Sequence, residues 1–161
     1  MKLAIVVPVL NEAATLALKL QALAPLRARG AELIVVDGGS TDGTLAIAQR
    51  LADRVLQAPR GRASQLNAGA AATRADVLLF LHADTRLPEG AVQRVALALD
   101  GSVGGGAPMW GRFDVCISGR SPWLVVVARM MNLRSRLSGI ATGDQALFVR
   151  RTVFHACGGY P

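Results

Sequence analysis

A chain of 161 residues that is 52% hydrophobic and only 4% aromatic can bury one sizeable core of Leu, Val, Ile and Ala, which excludes an intrinsically disordered segment. Its 18 Lys and Arg against 11 Asp and Glu leave a net charge of +7, and such an excess calls for an acidic partner: nucleic acid, an anionic membrane or the phosphates of a small substrate. Nucleic acid is excluded because the arginines are scattered, almost all singly, with no run of five basic residues and no aromatic platform, so most of them are expected only to solvate the surface.

The two cysteines, Cys116 and Cys157, lie far apart and outside any CxxC spacing. They are expected to be reduced, small apolar fillers of a cytosolic protein rather than a disulfide or a metal site. The apolar run over 3–10 ends at Asn11-Glu12 and is too short for a signal peptide. No stretch of 18 uninterrupted apolar residues exists, so no spanning helix is expected.

In chain order, residues 3–9 form a near-continuous β-branched run, the pattern of a strand buried on both faces. Asn11 is placed to cap a helix reaching about Leu23, before Pro25. A second buried strand spans 32–36, and the turn-rich segment 37–44 follows, where Ser40 or Thr41 can cap a helix through about Ala52. Residues 54–57 read as a short third strand, 62–72 as a helix, and 76–82 as a fourth buried strand. Pro88 and Glu89 suit the first turn of a helix ending near Leu99. Four alternations of strand and helix with short connections predict a parallel sheet in one domain, 1–161. Beyond Asp100 the pattern changes: 101–106 is a loose glycine loop, 112–117 alternates like a half-exposed strand, 122–137 is helical, and 146–150 is a last strand before Gly158-Gly159-Tyr160-Pro161.

Ligands of open parallel sheets bind beyond the carboxyl ends of the strands. There the sequence puts Asn11-Glu12 after the first strand, Asp37 after the second, residues 60–62 after the third and His82-Ala83-Asp84 after the fourth. Familiar nucleotide and hydrolase motifs fail. The spacing from Gly38 to Gly43 is that of a P-loop, but Thr44-Leu45 stands where Lys-Ser/Thr is required, no GxGxxG follows the first strand, and no GxSxG is present.

The segments IVVPVLNE (5–12), VVDGGSTDGT (35–44), GRASQLNAGA (61–70), LFLHADTRLP (79–88) and GIATGDQALFVRR (139–151), with the closing GGYP, resemble family 2 glycosyltransferases in order and spacing, over nearly the whole chain. The nearest likeness is to a bacterial subgroup carrying HADT and TGDQ, sometimes linked to arsenosugar biosynthesis. The resemblance implies an α/β chain of the GT-A, Rossmann-like type, three layers α/β/α with a mostly parallel central sheet. It implies an inverting transfer of a sugar from a nucleotide-diphosphate donor, a UDP-sugar being favoured, with Mn²⁺ or Mg²⁺ as cofactor.

Carried over position by position, Asp37 would accept the imide N–H of the donor's uracil; its alternative is a turn former in a Gly-rich loop. Gly38 replaces the second acid of the usual Asp-Asp-Gly-Ser. Asp42 is read as an acid favoured by a helix N-terminus. Pro8, Asn11 and Glu12 would shape the first loop around the base. Arg62, after Gly61, would face the base or phosphates, since a forked guanidinium suits phosphate oxygens; its alternative is an exposed helix-starting arginine. His82-Ala83-Asp84 takes the place of the DxD motif: Asp84 matches the metal position and His82 replaces the first acid, a change that Mn²⁺ tolerates better than Mg²⁺. A strand-end residue bonded to backbone is the alternative for His82. Asp144, flanked by polar Thr142 and Gln145, would bind the acceptor hydroxyl or help hold the metal, or cap a turn before the last strand.

Inversion needs a general base. In the family it lies in a Glu-Asp pair shortly after a segment like GGYP, so the chain is expected to be truncated there, with Asp144 the nearest substitute. Rival readings are a catalytically inactive nucleotide-binding module, a nucleotidyltransferase, which would want a basic Gly-rich loop where Asn11-Glu12 stands, and a membrane-surface protein built around 123–133. That last segment would suit a lipid-linked acceptor and peripheral contact at the inner face of the membrane, although a buried or dimer-forming helix is its commoner cause. The acceptor, small or lipid-linked, and the oligomeric state are left open.

Overall fold

The computed structural model describes residues 1–82, 85–100, 108–141 and 145–161. Three strands with apolar side chains on both faces form its centre: β1 (Leu3–Val9), β2 (Glu32–Asp37) and β4 (Val77–Phe80). With β3 (Arg54–Gln57), β5 (Trp110–Gly111) and β6 (Phe148–Arg150) they make one sheet in the order β3-β2-β1-β4-β6-β5. The first four strands run parallel, whereas β6 is antiparallel to both β4 and β5.

The period of two along each strand divides the core. Ile5, Val7, Leu33, Val35 and Leu79 pack with Leu16 and Leu20 of α1 (Ala13–Gln21), Ala48 of α3 (Thr44–Leu51) and Val95 of α5 (Ala91–Leu99). Ala4, Val6, Ile34, Val36, Leu78 and Phe80 face the other way, onto Leu66 and Ala70 of α4 (Arg62–Ala71) and Phe154 of α7 (Arg151–Ala156). The result is the expected three-layer α/β/α arrangement, mostly parallel.

Pro8 sits in a central strand without breaking the ladder. Lys2 and Val6, an even number of residues before it, both accept from the β4 side, through Val77 and Leu81. Pro8 therefore faces the same side just past the end of β4, where no N–H is required. At that point β1 outgrows its neighbour and a cleft opens.

Several boundaries differ from the sequence expectations, each for a local reason. Asn11 is not the cap of α1; that place belongs to Glu12, and Asn11 adopts a left-handed φ of 53°. Pro25 opens a separate short helix, α2 (Ala24–Arg27). Helix α3 starts at Thr44, not behind Ser40 or Thr41, whose polar groups are taken up by Asp37 and Asn11. Gly90, with φ of 71°, caps α5, so Pro88 and Glu89 precede that helix. Residues 112–117 are not a strand: the amide of Asn132 bonds both the N–H and the C=O of Val115, at 2.8 and 3.0 Å, in place of a ladder. The helix α7 follows the last strand directly and was not anticipated. Cys116 and Cys157 are free thiols as expected, but both are exposed and fill no core. The expected glycine loop at 101–106 lies outside the described residues.

Helix α6 (Trp123–Ser138) buries only Ala128 and Ser135, so within this chain it is not a buried helix. No helix among the described residues is long and apolar enough to cross a membrane.

Helix α4 lies unusually close to the sheet because Gly69 has no side chain. A Cβ there would stand 2.3 Å from Val6 Cγ1 and 3.1 Å from Val36 Cγ2. Gly69→Ala should therefore lower the unfolding free energy by about 1–3 kcal/mol through overpacking, although Ala favours helix by about 1 kcal/mol. Denaturant melts check this; an unchanged or raised midpoint would refute the close packing.

Candidate functional site

The loops after β1 and β2 are built as one unit. Asp37, with no exposed surface, accepts the N–H of Gly39 at 3.1 Å and of Ser40 at 3.0 Å through Oδ2, while Oδ1 takes the Ser40 hydroxyl. The Ser40 oxygen in turn accepts the N–H of Asn11 at 2.9 Å, and Asn11 Oδ1 accepts the N–H of Thr41 at 2.9 Å. A residue in a left-handed conformation that closes such a loop is well served by Asn.

A second link ties the start of α1 to that of α3. Thr44 Oγ1 accepts the N–H of Glu12 at 2.8 Å, and Asp42 accepts from Ala13 N at 3.1 Å and Thr44 N at 2.9 Å. The Thr44 hydroxyl, then the Thr44 and Ala13 amides, hold the exposed Asp42 carboxyl below its ordinary range. The link is intact above that range and is lost as pH falls through the lowered pKa. Asp42 thus serves the helix starts, as expected.

The floor behind these loops comes from α4. Gln65, 4% exposed, donates from Nε2 to the carbonyls of Val9 at 2.9 Å and Val36 at 2.8 Å. Gly61 takes a φ of 145°, which only glycine adopts freely, and turns the chain into α4 so that its first N–H groups are open. Pro8, Val9, Leu10, Glu12, Arg60, Gly61, Arg62, Gln65 and His82 surround a cleft of about 330 Å³ at the carboxyl ends of β1, β3 and β4.

The cleft is electropositive. Arg60 and Arg62 are exposed and make no ion pair among the described residues, and a helix N-terminus adds N–H donors. Glu12, by contrast, is neutralised by Lys19 Nζ at 2.9 Å. Half-buried His82 lies two residues past the end of β4, its carbonyl accepting from Thr85 N at 3.0 Å. Among the described residues, no group of three His, Cys, Asp or Glu is placed to hold a metal ion. At phosphate sites Mg²⁺ is commonly held by one or two carboxylates together with phosphate oxygens rather than by an all-protein cage.

Arg62 and His82 also border a second hollow of about 330 Å³, closed by Leu66, Phe80, Leu147 and Tyr160. Its wall is fixed by Asn67, whose side chain donates to Tyr160 O and accepts from Tyr160 N, both at 2.9 Å. Gly158 and Gly159 have φ of 81° and 79°, and a Cβ on Gly159 would meet Asn67 Oδ1 at 2.6 Å. The GGYP segment is thus shaped to dock on α4.

Of the residues expected at the site, Pro8, Glu12, Gly61, Arg62 and His82 meet in the cleft. Asn11 and Asp37 stand behind it, bracing its loops. Asp84 and Asp144 lie outside the described residues. Arg60, expected at the strand ends together with Arg62, lines the cleft as well, whereas Leu10 and Gln65 were not anticipated. The spacing of Gln65 from Gly61, one helical turn, was the available signal for the last.

Burial pushes the Tyr160 hydroxyl up to about 12. It is the only tyrosine of the chain, so ultraviolet titration should show one phenolate transition near pH 12, well above the ordinary 10. Its raised pKa stabilises the fold below pH 10, and this is lost as pH rises through 12. A transition at 10 would mean that the GGYP segment is undocked.

A family model described as Glycosyl transferase family 2 matches residues 4–151. No curated protein matches the chain. A mannosyltransferase from Pyrobaculum calidifontis, solved with GDP-Man and Mn²⁺, is similar with a TM-score of 0.69 at 26% identity, over 99% of this chain and 47% of that one. Glucosyl-3-phosphoglycerate synthase from Mycobacterium tuberculosis, solved with Mn²⁺, UDP and phosphoglyceric acid, gives 0.66 at 25% identity, over 95% and 57%. S. aureus TarS 1–349 with UDP-GlcNAc gives 0.74 at 20% identity, over 99% and 48%, and shows the fold alone. The chain spans about half the length of these structures.

Proposed function

From the premise that this chain belongs to glycosyl transferase family 2, we propose that its cleft binds a nucleotide-diphosphate sugar, a UDP-sugar being favoured, and that the protein transfers the sugar to an acceptor hydroxyl. The observation that carries the proposal is the convergence of strand ends on one electropositive cleft, where Arg60, Arg62 and the start of α4 face the same space as Pro8 and His82. Similar structures bound to GDP-Man with Mn²⁺, and to UDP with Mn²⁺, support it.

In this reading the base lies against Pro8 and Leu10, and the diphosphate meets the guanidinium groups and the open N–H groups of α4. Charge-assisted hydrogen bonds of that kind contribute about 1.5–3 kcal/mol each. Asp84, with His82 beside it, would hold Mn²⁺ or Mg²⁺ together with the phosphate oxygens. The ion, when bound, supplies neutralisation of the charge on the departing diphosphate. The acceptor oxygen attacks the anomeric carbon from the face opposite the diphosphate, the bond to the diphosphate oxygen breaks, and a carboxylate takes the hydroxyl proton. Asp144 is the residue we assign to the acceptor side. The finer likeness, to the HADT and TGDQ subgroup, is part of the same proposal.

Calorimetric titration of UDP and GDP, with and without Mn²⁺, tests the donor site. Binding should depend on the metal, vanish in Asp84→Ala and weaken about tenfold in Arg62→Ala, the loss of one charge-assisted contact. If neither nucleotide binds in any metal condition, the proposal fails. If binding occurs but no sugar is turned over with any acceptor, the inactive nucleotide-binding module is the better reading.

A further inference from the structure

The second turn of α4 holds a polar group that the donor reading has not used. Gln65 is 4% exposed, yet its side chain lines the cleft. Both of its hydrogen-bond partners, the Val9 and Val36 carbonyls, are acceptors only. The amide NH₂ must therefore face them, and the direction of Oε1 is set by chemistry. A flipped amide would set an oxygen against two carbonyl oxygens. Oε1 makes no hydrogen bond among the described residues. The atom is not sealed from solvent: it stands open to the cleft, where a donor can meet it.

Two neighbours sharpen the point. Asp37, the acid expected to read the base, is fully buried and bonds the N–H groups of Gly39 and Ser40 and the Ser40 hydroxyl. Position 38 carries no side chain, and a Cβ there would stand 3.1 Å from Gln65 Cδ and Nε2 and 3.2 Å from Oε1. Any side chain at 38 would therefore press on the Gln65 amide, which would have to give by a few tenths of an ångström.

We propose that Gln65 Oε1 is the acceptor that reads the nucleotide base, by taking the ring N–H of a lactam: N3–H of uracil or N1–H of guanine. Cytosine and adenine carry a bare acceptor nitrogen at the equivalent place, and Gln65 cannot turn to donate to it. The cleft thus selects oxo bases over amino bases. This assignment rests on the donor reading above.

The test compares UDP, GDP, CDP, ADP and N3-methyl-UDP on the purified chain with Mn²⁺. UDP, GDP or both should bind about tenfold or more tightly than CDP and ADP, because a site built to hydrogen-bond a ring N–H rejects an analogue lacking that donor. Whichever of the two binds more tightly identifies the base. N3-methyl-UDP should bind no better than CDP. Gln65→Met, of similar length, should bring UDP down to the CDP level. The methylated nucleotide needs no variant, so the result stands even if Gln65→Met does not fold. Equal binding of UDP, CDP and N3-methyl-UDP would overturn the assignment and leave the donor site intact. Absence of all nucleotide binding would overturn both.

Discussion

A carboxylate with no exposed surface must spend its hydrogen bonds inside the protein, and Asp37 spends them on the loop that follows it. Gly39, Ser40 and, through the Ser40 oxygen, Asn11 are all held by that one group. Two loops 29 residues apart in sequence thereby become a single rim beside the ends of β1 and β2. Each bond of this kind contributes on the order of 1 kcal/mol net, more when the acceptor is charged. The more important consequence is order. A rim whose polar groups are already paired does not have to be arranged by a ligand, which lowers the entropic cost of binding.

The cleft behind the rim joins three physical properties. Pro8 ends the β1 ladder on the β4 side without an unpaired N–H and opens space toward His82. Gly61 directs the start of α4 at that space, and Arg60 and Arg62 flank it. Gly69 lets α4 settle onto Val6 and Val36, which brings Gln65 within reach of the strand-end carbonyls. Positive charge, open N–H donors and a fixed amide at one place match a phosphate-bearing base better than an acidic protein or a nucleic acid strand. Part of the excess positive charge of the chain lies here, in Arg60 and Arg62.

Much of the fold was legible because the central strands are continuous apolar runs, a pattern few other structures share. The parallel half of the sheet followed from strand and helix alternation. The antiparallel half was harder. The segment 112–117 alternates like a strand, but Val115 spends both its backbone groups on the side chain of Asn132, on helix α6. Asn11 precedes a helical pattern and looks like a cap, yet its amide is claimed by Thr41. The candidate site was legible at Pro8, Glu12, Gly61, Arg62 and His82, which lie at strand ends or helix starts. Gln65 was hidden in an alanine-rich helix, since its significance depends on two carbonyls brought up by other strands.

The central claim, a nucleotide-diphosphate and metal site at the carboxyl edge of the sheet, is tested most directly by paramagnetic broadening of amide NMR signals with UDP and Mn²⁺ together. The account predicts that signals from residues 9–12, 60–65 and 82 are lost, while those of Lys2, Gly30 and Arg74, which border a hollow at the opposite edge, persist. Broadening centred on that opposite edge, or no broadening when UDP is present, would contradict it.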